Sequence, residues 1–440
     1  MRKPQRLTAA LTTRARKTAA RTLALLPALL FVALHAHAAH IVVAPNGSDN
    51  GGNGTVARPY ATLKKAQQML KPGTVDTVLL RGGRYAIRPQ DAMGCHERNY
   101  LAVIRLYRSG SPLHPVCYMA YPGDDRPVLD FSAVKPRDLR VSAVYLDASY
   151  LHLKGFDIVG VQVTQHGHTQ SEGISLHTDC HDNVVEDVRI HDGMAIGVYI
   201  KRGHDNTILN CDAYNNYDPV SEDHRGGNTD GFGCHVKSPV DTGNRFVGCR
   251  AWRNSDDGFD CINCFAPVVF DHCWAWQNGY DAGMQRRADG NGFKAGGYNR
   301  RVMPAWFKAP TDTVRQCIAF DNKANGFYAN HHLTGNVWIG NTACANGAYN
   351  YNMVCQRANN STDDVDGYGH TLIDNTSYRA RREHIGNVDT ARCLLRGNSF
   401  QPGVAPRQDD HMESLDSSRL AAPRKADGSL PGLHTPAAKP

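Results

Sequence analysis

Long hydrophobic runs are scarce in this sequence of 440 residues. The apolar run at residues 23–34 is shorter than the roughly 20 residues that a helix needs to span a bilayer. Apolar residues at helical spacing are also nearly absent from the middle of the chain, where short β-type runs take their place. These absences argue against a transmembrane anchor at that run and against a helical fold.

The first 38 residues are interpreted as a signal peptide. They contain no acidic residue, and seven basic residues stand at positions 2, 3, 6, 14, 16, 17 and 21. The apolar run follows, and Ala36-His37-Ala38 fits a cleavage site of small residues. We therefore expect a secreted protein, extracellular or periplasmic, with no membrane attachment after cleavage.

The mature chain would also lack net charge. The sequence has 49 Lys and Arg against 42 Asp and Glu, and loss of the seven basic residues of the leader leaves 42 against 42. A nucleic-acid partner favours a basic surface, so none is expected. An anionic ligand must instead be bound by a local site.

All thirteen cysteines follow the predicted cleavage point. In an oxidising compartment some of them are expected to form disulfides, and the odd number leaves at least one thiol unpaired. Cys261 and Cys264 are separated by two residues, which is compatible with a local disulfide, a redox pair or half of a zinc site. We favour the disulfide.

A weak repeat of the form C-x-A-x-x-N organises the middle of the chain. Its four copies begin at Cys211, Cys249, Cys273 and Cys317, and the steps from Asn254 to Asn278 and from Asn322 to Asn346 are both 24 residues. A period in the twenties with short β-type runs predicts a β-solenoid, which grows by stacking coils. The asparagines should form an internal hydrogen-bonded ladder, and the cysteines a buried thiol stack.

A second repeat places an apolar residue after a glycine. Its six units are Gly173-Ile174, Gly197-Val198, Gly231-Phe232, Gly258-Phe259, Gly292-Phe293 and Gly326-Phe327. The apolar member should point into the core of an all-β parallel β-helix at residues 39–400. Residues 62–70 predict one helix that caps the open end of the solenoid. Residues 401–440 form a Pro-rich tail that either packs along the solenoid or is mobile.

Stacking the coils turns these units into columns. Neighbouring strands lie about 4.8 Å apart, so Asp230 should lie one rung from Asp257, and Lys294 one rung from Asp260, with Asp256 adjacent. Four carboxylates so close repel one another unless a cation neutralises them, and an oxygen-only ligand set favours Ca²⁺. The alternative is that Asp-Asp-Gly is only a turn sequence.

A lysine beside a calcium site suits proton abstraction from a uronic acid polymer. The proton on C5 is α to a carboxylate and becomes removable when the developing charge is neutralised. Lys294, if uncharged, would be the general base, and elimination of the C4 oxygen would leave an unsaturated sugar. The alternative for Lys294 alone is a solvated surface lysine.

Three segments resemble the signature of family 9 polysaccharide lyases, which are pectate lyases and relatives. They are residues 228–232 (Asn-Thr-Asp-Gly-Phe), 255–260 (Ser-Asp-Asp-Gly-Phe-Asp) and 290–297 (Gly-Asn-Gly-Phe-Lys-Ala-Gly-Gly). The resemblance implies a right-handed parallel β-helix, calcium ligands at Asp230, Asp256, Asp257 and Asp260, and Lys294 as the base. It also implies pectate (polygalacturonate) as the substrate, and we expect a monomer.

Substrate carboxylates need cationic partners, and Arg300 and Arg301 lie near Lys294 in sequence. Two other enzymes remain alternatives: an inverting polygalacturonase on a similar β-helix, and a lyase of the same family that acts on another uronan such as rhamnogalacturonan. The hydrolase should carry His-Gly and then Arg-x-Lys downstream, and neither follows Asp260. A non-catalytic binding solenoid would explain the repeat but not a lysine facing four aspartates.

Overall fold

The computed structural model describes residues 40–222, 224–298, 303–358, 361–404 and 417–431. The chain divides into two units, Met1–Ala39 and His40–Pro440, and all described residues belong to the second. The predicted signal peptide and the two predicted substrate-binding arginines, Arg300 and Arg301, lie outside the described residues. Among the residues that the structure describes, no helix combines the length and apolar character needed to cross a membrane.

Three long sheets run side by side along the solenoid. Sheet A consists of His40–Val43, Thr77–Leu80, Val116–Ala120, Leu151–Lys154, Val184–Glu186, Thr207–Leu209, Arg245–Val247, Val269–Asp271, Thr313–Arg315, Val337–Ile339, Thr371–Ile373 and Leu394–Arg396. Sheet B consists of Gly83–Ala86, Pro127–Asp130, Asp157–Val159, Arg189–His191, Asp212–Tyr214, Arg250–Trp252, Trp274–Trp276, Ile318–Phe320, Thr342–Cys344 and Thr376–Tyr378. Sheet C consists of Gly94–His96, Tyr100–Leu106, Arg140–Leu146, Glu172–Leu176, Ile196–Ile200, Phe232–Cys234, Phe259–Asp260, Phe293–Lys294, Phe327–Tyr328, Tyr349–Asn352 and Glu383–Gly386.

Each coil visits sheets A, B and C in turn, and the strands within each sheet are parallel. The exceptions among the described strands are Gly94–His96, antiparallel to its neighbour, and a small hairpin of Cys355–Gln356 with Asp364–Val365. The helical elements are short: Leu63–Met69, a 3₁₀ turn at Pro89–Asp91, and Ser417–Leu420. The prediction of an all-β parallel β-helix is confirmed.

The corner between sheets A and B is made by one residue with a left-handed backbone. These residues have φ between 49° and 83° and are Gly155, Asp187, Asn210, Gly248, His272, Gln316, Gly340, Asp374 and Gly397. Glycine, asparagine and aspartate adopt this conformation most readily, which accounts for the composition of the corner. From the strand Leu151–Lys154 onward, a left-handed residue therefore directly follows each strand of sheet A.

The core is a stack of apolar residues contributed one per coil. Phe232, Phe259, Phe293 and Phe327 are fully buried and stack in sequence, with ring centroids 4.7 to 5.1 Å apart. Burial of one such side chain stabilises the fold by roughly 1.5–3 kcal/mol. The prediction that the residue after each glycine points inward is confirmed.

The asparagine row forms the predicted ladder at the end of sheet B. We call Asn216, Asn254, Asn278, Asn322 and Asn346 the amide ladder. All five are buried, and Nδ2 of each of the first four donates to the Oδ1 of the next asparagine at about 3 Å, as Asn254 does to Asn278 at 3.1 Å. The main-chain N–H of Asn254 donates to the same oxygen, at 3.3 Å. Stacking thereby provides hydrogen-bond partners both for backbone N–H groups at the corner and for the side-chain amides.

The aligned cysteines form a buried column, as predicted. Cys211, Cys249, Cys273 and Cys317 donate to backbone carbonyls, and the column continues as asparagines, because the N–H of Cys317 donates to Asn341 Oδ1. All thirteen cysteines are described and all are free thiols, so the predicted Cys261–Cys264 disulfide is wrong. Their sulfurs have different partners: Cys261 Sγ donates to Lys294 O and Asp312, and Cys264 Sγ to Ala266 O.

The predicted capping helix is also confirmed. Thr62 is its N-cap and accepts a hydrogen bond from the N–H of Lys65. Leu63, Ala66 and Leu70 are buried, and the helix packs against His40–Val43 of sheet A and Tyr100–Leu106 of sheet C. The helix thus covers strand edges at the amino-terminal end of the solenoid.

The described part of the tail, residues 417–431, packs along the solenoid. Leu420 is fully buried against tryptophans of sheet B. Asp212, itself on sheet B, accepts hydrogen bonds from Arg250 at 2.7 Å and from Arg424 of the tail at 2.6 Å. Arg250 also donates to the carbonyl of Leu420 at 3.0 Å. This buried Arg-Asp-Arg group fastens the tail to the middle of the solenoid.

Candidate active site

The outer face of sheet C brings together the five residues predicted from sequence. Gly233 pairs with Asp260, and Asp260 pairs with Lys294 on the next strand. Asp230, Asp257 and Asp260 each place a carboxylate oxygen within 4.8 Å of the others, and Asp256 joins Asp257 in a second such group. All five residues are largely buried, and Lys294 is the most accessible at 8% exposed.

The aspartates are held by backbone N–H groups. Asp230 Oδ1 accepts from the N–H of Asp257 at 3.0 Å, and Asp256 Oδ1 accepts from that of Asp289 at 3.0 Å. Asp260 Oδ1 accepts from the N–H of Ile262 at 2.7 Å. One oxygen of each carboxylate is thereby fixed, and the orientation of the other is set by the fold.

Asp257 belongs to a ladder of mixed composition. Its Oδ1 accepts from both the N–H of Asn291, at 2.6 Å, and Asn291 Nδ2, at 2.8 Å. Asn325 Nδ2 donates to Asn291 Oδ1 at 2.8 Å. We call Asp230, Asp257, Asn291 and Asn325 the carboxylate ladder. It repeats the stacking of the amide ladder but carries carboxylates on two of its four rungs.

Lys294 lies at the centre of the carboxylates. Its Nζ is 3.0 Å from Asp257 Oδ2, 3.3 Å from Asp260 Oδ2 and 3.8 Å from Asp289 Oδ2. Asp257 Oδ2 is buried and, among the described residues, accepts no hydrogen bond, so its contact with Lys294 is an ion pair without hydrogen-bond geometry. The amine is therefore positioned by the charges of the surrounding carboxylates.

Burial and mutual repulsion control the charges of the cluster. Burial, with the neighbouring carboxylates, raises the pKa of Asp230 and of Asp256 well above the usual range. Burial raises the pKa of Asp257 to about 6, although Lys294 opposes the shift. Burial would also raise the pKa of Asp260, but Lys294 and His235 together lower it below its ordinary value.

The pKa of Lys294 is raised as well. Burial acts to lower it, but Asp257, Asp260, Asp256 and Asp230 together raise it well above the usual value. Without a cation the lysine is therefore held in its charged form by the same carboxylates that surround it. A base at this position needs that negative charge to be neutralised.

Several residues of the site were missed at the sequence level. Asp289 was not named because it lies in a loop outside the glycine repeat, and His235, whose Nε2 is 3.7 Å from Asp260 Oδ1, has no repeat signal either. Asn291 and Tyr328 did stand in the aligned columns but received no role. Burial raises the pKa of Tyr328 to about 12, so this phenol stays protonated.

The donor set fits a hard divalent cation. Asp230, Asp256, Asp257 and Asp260 offer only oxygen atoms, and Asp257 Oδ2 is a buried acceptor to which no described group donates a hydrogen bond. Such ligands suit Ca²⁺ or Mg²⁺ rather than zinc. The nearby thiols of Cys261 and Cys264 point into the core and do not join the group.

Comparison with known proteins identifies the chain's relatives. Residues 41–361 match the family model described as Pel9A-like, right handed beta helix region. Pectate lyase L of Dickeya dadantii is 32% identical over 393 residues, covering 88% of this chain and 81% of that protein. Pectate lyase PEL9 of Emericella nidulans is 28% identical and covers 92% of both chains.

Two solved structures are also similar over most of their length. A rhamnogalacturonan lyase shares 41% identity with a TM-score of 0.84, covering 90% of this chain and 95% of that one. The pectate lyase Pel9A shares 29% identity with a TM-score of 0.70, covering 91% and 90%. The right-handed parallel β-helix is thereby confirmed. The chain belongs to polysaccharide lyase family 9 and is a polysaccharide lyase.

Proposed function

We propose that the protein is a secreted, calcium-dependent lyase that cleaves α-1,4-linked galacturonan by β-elimination, with Lys294 as the general base. The observation that carries the proposal is the position of Lys294 Nζ, 3.0 and 3.3 Å from two carboxylates in a four-aspartate group. The same residue types stand where the family resemblance expects calcium ligands and a base. The relatives named pectate lyase support the substrate.

Asp230, Asp256, Asp257 and Asp260 are the residues that would hold Ca²⁺. When bound there, the cation supplies positive charge that neutralises the uronate carboxylate and so acidifies the proton on C5. The chain's contribution is preorganisation, because backbone N–H groups fix one oxygen of each carboxylate before any ligand arrives.

Lys294 takes the C5 proton in its neutral form. Once the carboxylate charges are neutralised, the interactions that raise its pKa are lost, and burial then favours the uncharged amine. Elimination forms the C4–C5 double bond and breaks the bond between C4 and the glycosidic oxygen. Lys294 is therefore inactive without the cation and becomes a base when the site is filled.

Rhamnogalacturonan is a second candidate substrate, and one specific observation favours it. The rhamnogalacturonan lyase structure is 41% identical to this chain, against 32% for the pectate lyase of Dickeya dadantii. Both polymers contain galacturonate, so the same base and cation would serve either. The neighbouring sugars, rather than the reacting one, would then decide specificity.

The test is the ultraviolet absorbance of the unsaturated product during incubation with polygalacturonate or rhamnogalacturonan, with calcium or with chelator. Wild type should give absorbance only with calcium, and Lys294→Ala should lower the rate by about 10³-fold. Lys64→Ala, at an exposed position on the capping helix, is the matched control and should keep full activity.

The outcomes separate the candidates. Absorbance from rhamnogalacturonan alone would assign the second substrate. Chelator-insensitive release of saturated sugars would contradict β-elimination and favour the hydrolase. Full activity of Lys294→Ala would remove the lysine from its role as the base.

A further inference from the structure

Lys294 stands between two different groups in one column of sheet C. Asp260 pairs with Lys294 on the preceding strand, and Lys294 pairs with Tyr328 on the following strand. Residues that pair across neighbouring parallel strands share a face and lie about 4.8 Å apart. The column therefore presents a carboxylate of the cation site, the base and a phenol in that order.

The reacting sugar carries its groups in the same order. The carboxylate is attached to C5, the proton to be removed is on C5, and the leaving oxygen is on C4. If the sugar carboxylate lies toward Asp260 and its C5 proton faces Lys294, the C4 oxygen lies on the side of Tyr328. Asp260 belongs to the strand before Lys294, and Tyr328 to the strand after it.

The Tyr328 hydroxyl is held by a histidine and an aspartate. Tyr328 Oη is 3.0 Å from His331 Nε2, and His331 Nδ1 is 2.5 Å from Asp364 Oδ1. The side chain of His331 is 25% exposed and that of Asp364 is 33% exposed, so both are in contact with solvent. Asp364 comes from the antiparallel hairpin, a separate element that is not part of the repeat.

The backbone that presents His331 is strained. Asn330 and His331 both have left-handed backbones, with φ of 50° and 58°. Each such residue costs on the order of 1 kcal/mol or more and persists where surrounding contacts fix it. His332 supplies those contacts, because it is fully buried, its Nε2 donates to the carbonyl of Pro310, and its Nδ1 accepts from the N–H of Thr334.

We propose that Tyr328 is a further catalytic residue, the acid that protonates the leaving C4 oxygen, and that His331 and Asp364 are its positioning residues. The inference rests on the proposed β-elimination. Lys294 takes the C5 proton, the electrons of that C–H bond form the double bond, and the C4–O bond breaks. The leaving oxygen takes the proton of Tyr328 Oη.

The proton lost by Tyr328 returns through His331. When His331 carries protons on both ring nitrogens, its Nδ1–H donates to Asp364 and its Nε2–H donates to Tyr328 Oη. The phenol proton is then free to face the substrate, and the Nε2 proton moves to the phenolate as the leaving oxygen is protonated. Solvent restores the proton on His331 and takes the one gained by Lys294.

Tyr328→Phe tests the acid with two substrates. On polymer, kcat should fall by about 100-fold while KM changes by less than about threefold. On a galacturonide whose C4 leaving group is an acidic phenol, which needs no protonation, the same variant should come within about threefold of wild type. Tyr214→Phe, on sheet B, is the matched control and should behave as wild type on both substrates.

Substitution of the positioning residues should have a smaller effect than substitution of Tyr328. Asp364→Asn and His331→Gln should lower kcat on polymer by about tenfold and show the same rescue by the acidic leaving group. Unchanged kcat in Tyr328→Phe, or an equal loss on both substrates, would overturn the role of Tyr328. Either result leaves the proposed function standing if Lys294→Ala is inactive, whereas an active Lys294→Ala would contradict the elimination itself.

Discussion

The amide ladder and the carboxylate ladder are both stacks of buried, hydrogen-bonded side chains, and they have opposite chemical consequences. In the amide ladder, Asn278 accepts from Asn254 through Oδ1 and donates to Asn322 through Nδ2, so each rung satisfies the next. In the carboxylate ladder, Asp257 accepts from Asn291 through Oδ1, but its Oδ2 has no proton to donate. Replacing one NH₂ group by oxygen turns a stack whose side chains satisfy one another into a buried acceptor that can bind a cation.

The largest effect should follow from exchanging the carboxylate of the ladder for an amide. Asp257→Asn keeps the acceptor for Asn291 but removes a cation ligand and the partner of Lys294. Elimination activity should fall by about 10³-fold or more, measured by product absorbance at saturating calcium. The metal-free variant should unfold at the same or a higher denaturant concentration than wild type, because one buried repulsive charge is gone. A calcium-saturated variant with wild-type activity would contradict the assignment.

The reciprocal exchange should damage the fold instead of the chemistry. Asn278→Asp places a carboxylate where the structure offers Asn322 Oδ1 and the carbonyl of Ala251, both of which are acceptors. An uncompensated buried charge costs about 3–5 kcal/mol, so the free energy of unfolding in urea should fall by that amount at neutral pH. Acidification should recover part of the loss, because the protonated carboxyl can donate. A variant as stable as wild type would show that the ladder tolerates charge.

Calcium itself should stabilise only the carboxylate ladder. Binding at 100 times the dissociation constant should add about 2.7 kcal/mol to the free energy of unfolding of wild type. Asp257→Asn should show a much smaller gain, and Asn278→Asp should retain the full gain over its own lower baseline. Thermal unfolding with calcium and with chelator measures all three, and an equal gain in Asp257→Asn would place the cation elsewhere.

The smallest effect concerns Asp312, a carboxylate in an otherwise amide position. Its N–H donates to Asn336 Oδ1, its Oδ1 accepts from Val268, and burial raises its pKa to about 7. A carboxyl with a higher pKa in the folded than in the unfolded state loses its stabilising contribution as the pH rises through the folded value. Wild type should therefore lose about 1 kcal/mol of stability between pH 6 and pH 8 at saturating calcium.

Asp312→Asn is the variant that isolates this contribution. The amide can keep the bond from Val268 and donate to Cys261, so the loss between pH 6 and pH 8 should become smaller. Denaturant unfolding at the two pH values measures the difference. If the variant loses as much stability between pH 6 and pH 8 as wild type, other groups cause the pH dependence.

The features that could be predicted from the sequence are those that repeat once per coil. The cysteine and asparagine rows and the inward phenylalanines could be aligned because stacking places equivalent residues in register, and the same alignment brought Asp230, Asp257, Asp260 and Lys294 together. Asp289 and the Asp364 hairpin could not be found in this way, because they lie in loops whose positions no repeat fixes. The Cys261–Cys264 disulfide was predicted from short spacing alone, but the turn that follows Asp260 directs the two sulfurs toward different carbonyls.

The tail, unlike the repeats, is held by a contact between residues that are far apart in sequence. Arg424 meets Asp212 across more than 200 residues of sequence, and its role depends on a fold that must already exist. In a stack where each coil contacts only its neighbours, the terminal coils can unfold one at a time. The Arg-Asp-Arg group instead ties residues 420–424 to the middle of the stack. The backbone amides of sheet B beneath the tail should therefore exchange with solvent only when that buried group opens as well.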